Sequence, residues 1–75
     1  MKGAPRGRLV KRSVVLTGHA TSIALEPAFW TVLEDLARAR GLSLARTVAA
    51  IDAARAEAPL ASACRLAALE HVRAS

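Results

Sequence analysis

The apolar positions of the chain change their period twice. Between Ser13 and Leu25 they alternate, with Val14 and Leu16 in one phase and Thr21, Ile23 and Leu25 in the other, and alternation of this kind marks a half-buried strand. The flip of phase needs a break. A one-residue shift would otherwise turn every side chain to the opposite face, so a bulge or turn falls near Gly18, the residue best able to adopt positive φ. Two readings satisfy the pattern: a hairpin turning at Gly18-His19, or one long strand carrying a bulge.

From Glu26 the period lengthens. Pro27 suits the first position of a helix, where its missing N–H costs no hydrogen bond. Phe29, Val32, Leu33, Leu36 and Ala37 follow at helical spacing, with Glu34, Asp35 and Arg38 on the other side. Gly41 stops this helix and Ser43 caps the next, which turns Leu44, Thr47, Val48, Ile51 and Ala54 inward and Arg46, Asp52 and Arg55 outward. Ala58-Pro59 breaks the second helix, and a third runs from about Ala61 to Arg73. Its apolar residues fall on two sides, Leu66, Leu69 and Val72 on one and Leu60, Cys64 and Ala68 on the other. A helix apolar on more than one side is buried on more than one side, which predicts a partner surface. The fold class expected is therefore mainly α with a short β element.

Composition sharpens that expectation. The chain has 75 residues, of which 18 are alanine and only Phe29 and Trp30 are aromatic. So short a chain buries only about 60% of its unfolded surface, and alanine adds few methylenes at about 0.8 kcal/mol each. Cys64 stands alone, so no disulfide forms within the chain, and Cys64, His19 and His71 lack the spacing of metal ligands. Neither a metal nor another cofactor is expected. Oligomerisation is the remaining source of stability.

Charge divides the chain. Residues 1–12 hold Lys2, Arg6, Arg8, Lys11 and Arg12 and no acid, giving 5 − 0 = +5, whereas residues 13–75 hold six basic and six acidic side chains, giving 6 − 6 = 0. The division predicts a flexible basic arm over residues 1–12 and a single neutral domain over 13–75, with polyanions as partners of the arm. The apolar run Val14-Val15-Leu16 is too short for an export signal and no stretch is long enough to span a membrane; with one unpaired cysteine, this places the protein in the cytoplasm. No nucleophile, base and orienting acid occur together and no glycine-rich phosphate loop is present, so an enzyme is not expected. His19 reads as a turn residue, His71 as a group near a helix C-terminus, and Cys64 as a small buried hydrophobe. Phe29 and Trp30 project about 100° apart on a helix, one to the core and the other to a seam or the surface.

The strand Thr21–Leu25, Glu26-Pro27, a helix, Gly41-Leu42-Ser43 and a second helix together resemble the ribbon-helix-helix superfamily of small bacterial DNA-binding proteins. Lys11-Arg12-Ser13-Val14, Gly18-His19, Thr21-Ser22, Leu25-Glu26, Phe29-Trp30 and Ile51-Asp52-Ala53-Ala54-Arg55 carry the likeness to a stand-alone subfamily. The resemblance implies an intertwined homodimer whose chains each lend a strand to an antiparallel ribbon, and a ribbon of two strands fits the major groove. It also implies a DNA-binding transcriptional regulator, with Ile23 and Leu25 facing inward and Ala20, Ser22 and Ala24 facing the bases. Lys11, Arg12, Ser43 and Arg46 would then hold phosphates, the serine at a helix N-terminus whose amides are free for anions. Ala20, Ser22 and Ala24 offer one hydroxyl and two methyls, which predicts weak base readout. An antitoxin-like or scaffold dimer, binding a protein through the third helix, is the competing expectation.

Overall fold

A computed structural model describes residues 8–75. Strands β1 (Val10–Leu16) and β2 (His19–Leu25) form an antiparallel hairpin, followed by α1 (Pro27–Arg40), α2 (Leu44–Ala54) and α3 (Leu60–Ala74). The strands pair from Leu16 opposite His19 to Val10 opposite Leu25, so the hairpin reading holds and no bulge is present in this ladder, but the turn is Thr17-Gly18 and not Gly18-His19, because His19 already pairs with Leu16. The two-residue turn explains the flip of phase. It sets even-numbered residues of β1 opposite odd-numbered residues of β2, and both sets face the same way. Val14, Leu16, Ile23 and Leu25 are thereby all buried. Gly18 sits in the turn at φ 80°, and a methyl group there would touch nothing, so the turn selects glycine for its backbone and not for space.

Of the arm expected over residues 1–12, residues 1–7, with Lys2 and Arg6, lie outside the described part. Val10, Lys11 and Arg12 form the first part of β1, because their partners on β2 extend to Leu25 and complete the ladder.

The helices cover the inner face of the hairpin. Trp30, Leu33, Leu36 and Ala37 of α1, Thr47, Val48 and Ile51 of α2, and Cys64 and Ala68 of α3 are buried. Of the two aromatics it is Trp30 that enters the core, while Phe29 is half-buried with the Arg65 guanidinium 5.9 Å from its ring centre. Ala54, expected to face inward, is exposed at the end of α2. Buried Thr47 satisfies its hydroxyl by donating to the Ser43 carbonyl at 3.0 Å, and no buried side-chain nitrogen or oxygen among the described residues lacks a partner.

The helix ends follow the sequence signals. Gly41 takes the left-handed conformation at φ 68°, and the amides of Gly41 and Leu42 return to the carbonyls of Arg38 and Ala37, closing α1 with a Schellman motif. Ser43 caps α2 by accepting from the Arg46 amide at 3.0 Å. After α2 the chain turns through Ala56 at φ 56°. Arg55 ties that turn together, reaching Asp52 at 2.7 Å and the Ala58 carbonyl at 2.6 Å.

Candidate nucleic-acid interface

The pleat gives the hairpin an outer face of six residues: Lys11, Ser13 and Val15 from β1, and Ala20, Ser22 and Ala24 from β2. Lys11 stands opposite Ala24, Ser13 opposite Ser22, and Val15 opposite Ala20. All but Ala24, which is half-buried, are exposed. Four residues expected in the interface, Lys11, Ala20, Ser22 and Ala24, are therefore brought together on one surface. Ser13 and Val15, not among the residues expected there from sequence, belong to it as well. The signal was the phase of Val14 and Leu16, which fixes the opposite orientation of their neighbours once β1 is paired.

Arg12 is placed elsewhere. As an even-numbered residue of β1 it lies on the helix side, opposite Ile23. Its guanidinium is 4.8 Å from the Trp30 ring centre and bonds the Glu34 carboxylate at 3.0 Å. The side chain thus clasps β1 to α1, and the pleat directs it away from the face that Lys11 occupies. Ser43 and Arg46 lie at the start of α2, where Arg46 is exposed and the first-turn amides of Leu44 and Ala45 have no intrahelical acceptor. This cationic corner belongs to a different element from the hairpin face.

The ion pairs shape the field around these groups. Arg12–Glu34, Arg38–Asp35, Arg55–Asp52 and Arg65–Glu26 engage four of the six acidic residues of the chain. Among the described residues, Lys11 and Arg46 take part in no ion pair. The carboxyl of Glu26 is held below its ordinary value of 4.5 by a hydrogen bond from its own backbone amide and then by Arg65, whose Nε donates to it at 3.0 Å. Burial pushes the Cys64 thiol above its ordinary value, with only partial relief from Arg65, so this cysteine is held as an inert thiol. His19 bonds the Thr17 carbonyl across the turn at 3.2 Å.

A second surface lies on α3. Leu66, Leu69 and Val72 are 58%, 48% and 52% exposed, an apolar stripe that the core of the chain does not cover. Beside it, an open groove of about 370 Å³ is lined by Ala50, Ala54, Ala63, Leu66 and Ala67, with Arg40 and Glu70 also contributing. Among the described residues, no helix is long and apolar enough to cross a membrane.

The family model of the ribbon-helix-helix domain matches residues 9–72, a span from just before β1 to within α3. No curated protein and no solved structure gives a significant match.

Proposed function

Because the chain belongs to the ribbon-helix-helix family, we propose that it binds DNA as a homodimer, in the manner of a small cytoplasmic transcriptional regulator, and acts by binding and not by catalysis. The observation that carries this reading is the distribution of charge. The excess of +5 lies within residues 1–12, and Lys11, the last residue of that run to point outward, joins the exposed hydroxyls of Ser13 and Ser22 on the hairpin face. The body beyond it is neutral by count and ties most of its acids into internal pairs, so an approaching polyanion meets little repulsion. Arg46 and the free amides at the start of α2 give a further place for phosphate.

The test is a titration of duplex DNA at several salt concentrations. Two copies of residues 1–12 carry 2 × 5 = 10 cations, and log affinity falls by about 0.9 for each phosphate neutralised per unit of log salt. A steep slope is expected. Affinity that is absent at low salt, or indifferent to salt, overturns the reading.

One observation favours a second reading. The stripe Leu66, Leu69 and Val72, with the adjoining groove, suits a protein-interaction module in which the dimer serves as an antitoxin-like or scaffold unit. A stoichiometric protein partner, lost when Leu66 and Leu69 become serine while helical content is unchanged, would establish it in place of DNA binding.

A further inference from the structure

We infer that β1 keeps the hairpin face out of the major groove, so that the protein takes duplex DNA irrespective of sequence and holds it by its phosphates. The inference rests on the homodimer and the DNA binding proposed above. It begins with the free edges of the hairpin. In a hairpin closed by two residues, the pair flanking the turn exchanges both backbone hydrogen bonds, and such pairs alternate along the ladder. Here the flanking pair is Leu16 and His19, so the backbone groups of Lys11, Ser13 and Val15 point to one free edge and those of Ala20, Ser22 and Ala24 to the other.

The two edges are not equivalent. That of β1 carries Lys11, a residue type that blunts edge-to-edge pairing, whereas that of β2 carries only small uncharged residues, no proline and no bulge. Seven residues of unguarded strand are a template for a second chain, and an identical copy fits without a break. Antiparallel pairing about Ser22 sets it opposite the partner's Ser22, and sets Ala20 opposite the partner's Ala24. The resulting sheet has four strands, in the order β1, β2, β2, β1.

Four strands are too wide for the groove. Neighbouring strands lie about 4.8 Å apart, so the outer axes are separated by about 14 Å, against a major groove about 12 Å wide. A lone two-stranded ribbon, about 5 Å between its axes, enters. In the four-stranded sheet Val15, 68% exposed, and Lys11 occupy the outermost strands. Lys11 stands opposite Ala24, two residues from Ser22, so the two Lys11 residues are offset by four residues along the sheet as well as across it, about 20 Å on the diagonal. Each ammonium then meets phosphates at the edges of the groove. The central residues could not read bases well even if they reached them, because serine and alanine lack the bidentate fork that arginine, asparagine or glutamine brings.

The experiment combines three measurements on the full chain. Unrelated duplexes of about 20 base pairs are expected to bind within about threefold of one another, far below the discrimination of specific binders. Bound protein is expected to leave guanine N7 open to methylation by dimethyl sulfate, while ethylation of phosphates interferes with binding. Light scattering is expected to give the mass of a dimer, and Ser22→Pro, which removes an amide at the β2 edge and none within the hairpin ladder, is expected to abolish that dimer, whereas a variant that stays dimeric overturns the pairing through β2. A selected duplex bound more than about thirtyfold tighter, or protection of guanine N7, overturns the inference while leaving DNA binding intact. Monomeric native protein overturns the four-stranded sheet independently of any variant. Failure to bind every duplex overturns the functional reading beneath it.

Discussion

The indole N–H of Trp30 donates to the Val10 carbonyl at 2.8 Å, joining the first helix to the start of β1. The same ring lies 4.8 Å from the Arg12 guanidinium, so one side chain of α1 holds two successive inner-facing positions of β1. Trp30→Phe keeps a ring in the core but loses the donor and weakens the cation–π contact. It is expected to lower unfolding stability by about 1–2 kcal/mol, read by urea denaturation, with hydrogen exchange of the β1 amides accelerated more than that of α2.

The adjacent cations Lys11 and Arg12 serve opposite faces. Lys11→Ala is expected to weaken DNA binding for every duplex alike and to reduce the salt slope by about 0.9 for each copy lost, with little change in stability. Arg12→Ala is expected to do the reverse. It removes the Glu34 pair and the contact with Trp30, costing about 1 kcal/mol, while the salt slope stays nearly constant. Parallel binding and denaturation curves on the two variants test the division.

Two residues in the left-handed region predict changes of opposite sign. Gly41 closes α1 at φ 68°, and Gly41→Ala, which meets no neighbour, is expected to destabilise the fold by about 1 kcal/mol through backbone strain alone. Ala56 already bears such strain at φ 56°. Ala56→Gly is expected to stabilise by roughly 0.5 kcal/mol, because relief of the αL conformation slightly exceeds the added flexibility of glycine in the unfolded chain. Thermal melts of both variants decide the signs.

The depressed carboxyl of Glu26 predicts an acid-sensitive link between α3 and the start of α1. Its folded value lies below the ordinary 4.5, so the stability it contributes is fully present above that value and is lost as pH falls through the folded one. Glu26→Gln is expected to be less stable than the native chain at neutral pH, and the gap should close as pH is lowered below 4.5. A gap independent of pH would show that the Arg65 contact does not depend on the charge of Glu26.

Where the sequence spoke through periodicity it was readable. Pro27, Gly41, Ser43 and Pro59 mark the helix boundaries closely, since each imposes a backbone preference that needs no distant residue. The choice between hairpin and bulged strand was not local: Gly18 allows either, and the pairing of Val14 with Thr21 decides it. The side to which Arg12 turns depends on the same pairing. A charged residue in a basic run reads as solvent-facing until its neighbour Val14 is known to point inward, and a guanidinium can lie on an aromatic face without leaving water fully. On α1 the periodic stripe runs through Phe29 and leaves open which of the adjacent aromatics goes deeper; Trp30 takes the core position, and its indole N–H finds an acceptor in the Val10 carbonyl of β1, which helical spacing cannot show. Of the candidate hairpin face, Lys11 and the β2 residues Ala20, Ser22 and Ala24 were legible, whereas Ser13 and Val15 join it only through the register of β1.

The turn at Thr17-Gly18 makes loop length a constraint stricter than loop identity. Many pairs of residues with a permissive second position could close the hairpin, each at a modest cost. A single codon inserted or deleted there would instead rotate one strand by half a repeat, carrying Val14 and Leu16 into solvent and Lys11 against the core. Descendants of this sequence are thus free to vary the chemistry of the turn, while changes of a single residue in its length are closed to them unless a compensating bulge arises in the same strand.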